Sequence, residues 1–190
     1  MGCVSTHDDL PVPSPTDGHV LGTAVAGLEL RPLAPGDAGR YHALVQQNRE
    51  HLTAQGDYLD EVTASVDDVR RQLAQTAGDP PLAFGIWWRD ALIGRCDLVP
   101  VDPPRYGLGY WISASSQGKG LASASVCELL EYAQSRCTAT DVFAGVTHGN
   151  ERSVALLRRL GFVEAATFER YTRFRRRLGD HESEAGEDGA

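Results

Sequence analysis

The single lysine of this 190-residue chain, Lys119, lies within Gln117-Gly118-Lys119-Gly120-Leu121-Ala122. An apolar run, Gly109-Tyr110-Trp111-Ile112-Ser113, precedes that stretch. Behind it Ala122, Val126, Leu129, Leu130 and Ala133 recur at steps of three and four, the spacing of a helix. A strand, a glycine-rich turn and a helix N-terminus therefore stand in a row. Gly118 and Gly120 let the backbone turn with its N–H groups converging on one point, where the helix dipole also favours negative charge. Such a turn binds a phosphate or pyrophosphate. Two common phosphate loops are excluded by spacing. Lys119 is followed by Gly120 where G-x-x-x-x-G-K-[ST] needs a hydroxyl residue, and Gly118-x-Gly120 leads to Ser123 where G-x-G-x-x-G needs a third glycine.

A second constellation follows. After the apolar stretch Val142-Phe143-Ala144-Gly145-Val146 comes Asn150-Glu151-Arg152-Ser153, then Leu156, Leu157 and Leu160-Gly161-Phe162. Asn150 is placed to cap a helix that carries Ser153 in its first turn.

The elements that must position these residues are legible in outline. Leu28 to Leu33 alternates as a strand, and Pro35-Gly36-Asp37 starts a helix that carries Tyr41, Leu44 and Val45 to about Leu52. Residues 56–63 read as a loop, and Ser65 is the N-cap of a second helix with Asp67 and Asp68 in its first turn. Gly78-Asp79-Pro80-Pro81 stops that helix. Strands over 82–88 and 91–99 join through Arg89-Asp90, and a turn over 100–105 leads to the strand 106–113. Helix 120–136, strand 141–147, helix 151–160, strand 162–168 and a basic strand over 171–178 complete the series. This order fits a three-layer α/β architecture.

These residues resemble the GNAT acetyltransferase superfamily. Gln117-x-x-Gly120-x-Ala122 is similar to its Q/R-x-x-G-x-G/A pyrophosphate loop, and Asn150-x-x-Ser153 with Leu160-Gly161-Phe162 looks like the N-x-x-S…L-G-F signature of the RimJ/RimL-like branch. Leu30-Arg31-Pro32-Leu33, Asn48-Arg49 and Gly109-Tyr110-Trp111 extend the likeness over roughly residues 28–177. The resemblance implies a GNAT fold, a three-layer αβα arrangement whose central mixed, mostly antiparallel sheet is splayed at a cofactor cleft. It implies acetyl-CoA as cofactor and direct attack by a primary amine, either a protein or peptide N-terminus or a small molecule. Cofactor-binding roles then fall on the backbone of Trp111, Ile112 and Ser113, on Gln117, Gly118, Lys119, Gly120, Leu121, Ala122 and Ser123, and on Asn150 and Ser153.

Catalytic roles are sparser. Many relatives protonate the departing thiolate with a tyrosine four residues before the G-F pair, where this chain has Leu157; the RimJ/RimL-like resemblance implies instead the serine of N-x-x-S, Ser153, as candidate acid or thiolate partner. The position where relatives often carry a basic glutamate is Gly107. Glu164 is the candidate base, with Asp57, Asp60, Glu61 and His148 as alternatives and water-assisted deprotonation as the expected route. A site without a strong base favours an α-amine. At pH 7 roughly a tenth of α-amino groups are neutral, against about 0.04% of lysine amines.

The formal charge of −8 lies in the chain ends. Eight of the 26 acids fall in residues 1–17 and 180–188, so residues 18–179 balance 18 acids against all 18 bases. Residues 1–24 and the acidic tail 179–190 are expected to be disordered, flanking an acetyltransferase domain over 25–178. Met1-Gly2 with Thr6 matches a myristoylation pattern, but seventeen arginines beside one lysine indicate a GC-rich bacterial coding bias, and bacteria lack that modification. The four cysteines show no metal spacing, and no signal peptide or spanning segment is evident. A reducing cytoplasm is the expected setting, with no membrane and no nucleic-acid partner. The arginines over 170–177 have too few stacking aromatics for a nucleic-acid surface. A CoA-binding or regulatory module without turnover is the alternative to an enzyme. The short 164–172 junction leaves an acceptor site that is either open or completed by a second subunit in a homodimer.

Overall fold

The computed structural model describes residues 20–55, 57–75 and 82–178. Short alternating segments give eight strands among these residues: β1 (Leu21–Gly22), β2 (Leu28–Pro32), β3 (Leu82–Trp88), β4 (Ala91–Asp102), β5 (Arg105–Ile112), β6 (Asp141–Thr147), β7 (Val163–Thr167) and β8 (Tyr171–Arg177). They form one sheet in the order β1-β2-β3-β4-β5-β6-β8-β7. Every adjacent pair is antiparallel except β5 with β6. Parallel neighbours need a crossover, and α5 (Leu121–Arg136) supplies it.

The period-two alternation of the strands sorts the apolar side chains into two cores. Leu30, Ile86, Cys96, Leu98, Leu108 and Ile112 pack with Val126, Leu129 and Leu130 of α5 and with Leu156 and Leu157 of α6 (Glu151–Arg159). Trp87, Leu92 and Trp111 turn to the opposite face. There they meet Tyr41 and Val45 of α1 (Ala38–Gln47), Leu52 of α2 (Arg49–Thr53), Val62 of α3 (Leu59–Thr63) and Val69 of α4 (Val66–Leu73). Helices on both faces make the three layers of the expected GNAT fold.

Local departures from the sequence reading have local causes. The helix expected to run unbroken to Leu52 divides at Asn48, whose backbone leaves helical geometry at φ −110°, ψ 13°. Its buried side chain donates to Leu44 O at 2.9 Å and accepts from Ala114 N at 3.0 Å, competing with the helix for backbone partners. The expected loop over 56–63 contains α3. Residues 20–24, within the segment expected to be disordered, carry β1 and the turn after it. Thr23 accepts from Val25 N and donates to Leu28 O, folding the chain so that Leu21 and Gly22 pair with Leu30 and Glu29. Ser65 caps α4 in a reciprocal box with Asp68. Hydrogen bonds from Ser65 draw the Asp68 carboxyl down to about 2, so this cap holds above the ordinary carboxylate range and is lost as pH falls through about 2. Residues 1–19, Gly78–Pro81 and the acidic tail lie outside the described residues.

Gly94 of β4 faces Ile112 in a close strand pair. A Cβ there would meet Trp111 O at 2.3 Å and Ile112 Cα at 2.9 Å, both backbone atoms that cannot step aside. At Gly107 the nearest atom would be Val99 Cβ at 3.6 Å, an ordinary contact. Gly94→Ala is therefore expected to cost about 1–3 kcal/mol and several degrees of melting temperature, with Gly107→Ala within about 0.5 kcal/mol of the parent. Thermal melts of the pair check this, and equal melting points would contradict it.

Candidate functional site

The parallel pairing of β5 with β6 stops early. Its register covers Arg105↔Asp141, Tyr106↔Val142 and Gly107↔Phe143. Beyond that point Leu108–Ile112 and Ala144–Thr147 run on without pairing to each other. Strand parity fixes which backbone groups face the gap. Ser113 N donates to Ile93 O at 2.7 Å, and Trp111 lies opposite Arg95 in the same ladder, so the backbone groups of Trp111 and Ser113 belong to β4. The N–H and C=O groups of Tyr110 and Ile112 point the other way. The expectation that Trp111 and Ser113 offer backbone to a cofactor is corrected by this alternation. Tyr110 and Ile112 are the residues whose backbone faces the gap, and the Trp111 side chain is core, 6% exposed beside Tyr41. From the far side, His148 N donates to Arg170 O, which by the same parity turns Gly145 and Thr147 toward the gap.

Two consecutive residues ahead of α3 bridge the splayed strands. The Tyr58 hydroxyl donates to Tyr110 O at 2.9 Å, and Asp57 accepts from the Thr147 hydroxyl at 2.6 Å. Tyr58 adopts a left-handed φ of 55°, which turns its ring inward. Burial and then the charges of Glu61 and Asp57 raise its pKa well above the usual phenol value, so it remains a donor. Nothing in the sequence periodicity marked Tyr58, because its role depends on a loop conformation.

At the mouth of the gap the glycine-rich turn opens α5. Gly118 and Gly120 have φ of 73° and 76°, left-handed values that L-residues rarely adopt. Regular helix bonding begins with Ala124 N to Gly120 O at 3.0 Å, leaving the N–H groups of Leu121, Ala122 and Ser123 without acceptors among the described residues. Free converging donors fit a pyrophosphate. Lys119 bonds back to Ser115 O at 2.9 Å and lies over the Trp88 ring, so it fastens the turn to its surroundings. Gln117 contacts His51 at 2.8 Å and accepts a bond from Arg152 of α6. Arg152 thereby stands beside the turn as a second cation that the motif reading did not single out.

On α6, Asn150 accepts from Ser153 N at 3.2 Å and caps the helix. The Tyr110 hydroxyl is shielded from solvent, and burial raises its pKa, partly offset by the Ser153 hydroxyl that it faces. Ser153 therefore lies near the side chain that Tyr110 extends from β5. Glu164 does not join them. It lies on β7, two strands beyond β6, exposed and ion-paired with Arg158 at 2.5 Å. Its assignment as base is corrected by that placement. The acid nearest in the ladder is Asp97 of β4, opposite Gly109. Burial raises its pKa, yet Arg95 holds both its oxygens, at 2.8 and 3.0 Å.

Comparison with known proteins agrees with this geometry. A family model described as the acetyltransferase (GNAT) domain matches residues 27–163. The chain is 31% identical over 147 residues to the putative ribosomal N-acetyltransferase YdaF of Bacillus subtilis, spanning 72% of this chain and 78% of that relative. Among solved structures it is similar to the ribosomal L7/L12 alpha-N-protein acetyltransferase RimL in complex with coenzyme A, with a TM-score of 0.73, 18% identity and coverage of 84% of this chain and 98% of the other. Mycobacterium smegmatis RimJ in complex with CoA-disulfide gives 0.74 at 19% identity, covering 85% and 88%. At these identities the two structures speak to the fold.

The turn sets a ranking for its residues. Gly120→Val forces a β-branched residue into a left-handed conformation that costs an L-residue about 1–2 kcal/mol or more, and it places bulk where anion and backbone must meet. Acetyl-CoA affinity measured by calorimetry is expected to collapse in Gly120→Val and to fall only a few-fold in Lys119→Ala. A lysine loss as large as the glycine loss would reverse the ranking.

Proposed function

The chain belongs to the GNAT acetyltransferase family, on its RimJ/RimL-like branch, and on that premise we propose that it acetylates a primary amine by direct attack in a ternary complex. The acceptor in this reading is a protein or peptide N-terminal amine or a small-molecule amine. The observation that carries it is the arrested β5–β6 pairing with the glycine turn at its mouth. Acetyl-CoA is the cofactor. Its amide-bearing arm fits the cleft-facing N–H groups of Tyr110 and Ile112 and the C=O of Ile112 as an added strand, beside a Tyr110 carbonyl that already accepts from Tyr58, and its pyrophosphate fits the donors of Leu121, Ala122 and Ser123.

When bound, acetyl-CoA supplies a thioester whose acyl carbon gains a C–N bond as the C–S bond breaks; an ammonium acceptor loses one proton to solvent beforehand and its second to the sulfur. The rest falls to this chain's residues. The N–H groups of Tyr110 and Ile112 are donors fixed by the strand, able to take up charge developing on a carbonyl oxygen without reorganising. Ser153, beside the Tyr110 side chain, is the residue to which we assign the proton for the leaving sulfur. With Glu164 remote and Asp97 held by Arg95, deprotonation runs through water, which favours an acceptor of low amine pKa. No helix among the described residues is long and apolar enough to cross a membrane. Seventeen arginines beside one lysine support a bacterial source, and cysteines without a metal or paired spacing support a reducing cytoplasm as the setting.

Thiol release from acetyl-CoA across a panel of amines and peptide N-termini tests this reading. Cofactor binding without release for any acceptor would favour a CoA-binding module instead. Ser153→Ala tests the proton role. Its kcat is expected to fall about a hundredfold or more, with the deficit growing at higher pH where solvent protonates a thiolate less readily. Because Asn150 supplies the cap, the melting point should barely move, while Asn150→Ala is expected to cost about 1 kcal/mol. Unchanged turnover in Ser153→Ala would remove it from the chemistry.

A further inference from the structure

A cavity of about 410 Å³ opens beside the splayed strands, lined by Asp57, Gly145, Thr147, Arg170 and Tyr171. Sites for small ligands commonly span about 300–1,000 Å³, so this one suits a compact molecule. Gly145 and Thr147 belong to the part of β6 beyond its last pair with β5, which puts the cavity at the open end of the cleft. A Cβ on Gly145 would press on the Tyr171 ring at 3.3 Å, and the glycine lets that ring lie along the wall.

The charges in this cavity are unspent. Asp57 receives one hydrogen bond, from Thr147 to Oδ1, and its second oxygen has no hydrogen bond among the described residues. The Arg170 guanidinium likewise has no ion pair among the described residues. Its neighbours on the same hairpin are engaged: Arg173 stacks on Phe168, and Arg175 pairs with Asp141 at 2.6 Å. Asp57 and Arg170 line one cavity without pairing with each other. Two unpaired charges of opposite sign held apart in a small cavity complement a ligand that carries both. Asp57 is also the residue before Tyr58, whose hydroxyl is fixed on Tyr110 O, so an amine held by Asp57 is brought alongside the cleft-facing backbone.

We propose that this cavity is the acceptor seat, and that it takes a small zwitterion of the amino-acid type, its amine on Asp57 and its anionic group on Arg170. This rests on the reading of the β5–β6 cleft as the acetyl-CoA site. Asp57 receives and orients the amine hydrogens, Thr147 fixes the carboxylate, and Arg170 selects for negative charge.

The test uses the full chain and matched probes: a panel of free amino acids, each beside its own carboxamide, with turnover read by thiol release and acetyl-CoA affinity read by calorimetry. Counted per neutral amine, since the carboxamide's amine is the less basic of each pair, the wild type is expected to use acids with a kcat/KM about ten- to hundredfold above their amides, the range of a charge-assisted hydrogen bond. Arg170→Gln should bring that ratio to near one by raising KM for the acids, and Asp57→Asn, which keeps an acceptor for Thr147, should raise KM for acids and amides alike. Both variants should bind acetyl-CoA as the parent does. Equal use of acids and amides, a ratio that survives Arg170→Gln, or no turnover of either series by a wild type that binds acetyl-CoA would each overturn the proposal. Absence of acetyl-CoA binding by the wild type would instead sink the reading beneath it.

Discussion

Everything else in this molecule is arranged around a sheet that is not allowed to close. Two parallel strands begin to pair and stop after Gly107↔Phe143. Backbone groups left without partners inside a protein are costly, at about 1–3 kcal/mol each. The fold tolerates the gap because it is lined and bridged. Tyr58 satisfies Tyr110 O on one side, and Asp57 fixes Thr147 on the other. In the proposed binding mode, a ligand that is itself a chain of amides completes the ladder the strands abandon. Binding and fold are thus one problem of hydrogen-bond satisfaction.

The same economy governs the mouth of the cleft. The crossover needed to make β5 and β6 parallel starts with a helix, and a helix starts with unsatisfied N–H groups. In this chain those groups lie where the gap ends. Asn48 holds the turn ahead of them from α1, and Gln117 joins α2 through His51 to α6 through Arg152. The glycine-rich turn is therefore braced by helices from both layers.

Much of this was legible in residue order. Gln117 to Ala122 named the turn because left-handed glycines and a helix start leave a signature in composition, and Ser65 named its helix because capping is local chemistry. The strands beside the cleft were also placed, since alternation is local too. What sequence could not supply was register. Whether Trp111 or Ile112 offers its backbone to a ligand depends on a parity set by Ser113 and Ile93 across the hairpin. Glu164 looked close to the site along the chain, but the strand order carries β7 to the outer edge. Tyr58 gave no signal, and Asp57 stood only among several acids, because their importance lies in bonds across 52 and 90 positions of sequence.

The central claim is that the cofactor is received as an added strand by the cleft-facing groups of β5. Residue-resolved amide hydrogen exchange, with and without acetyl-CoA, tests it directly. Tyr110 and Ile112 amides should gain strong protection on binding, together with Leu121, Ala122 and Ser123, while Trp111, already bonded within the β4 ladder, should change little. Protection confined to the turn, with Tyr110 and Ile112 exchanging as before, would contradict the account.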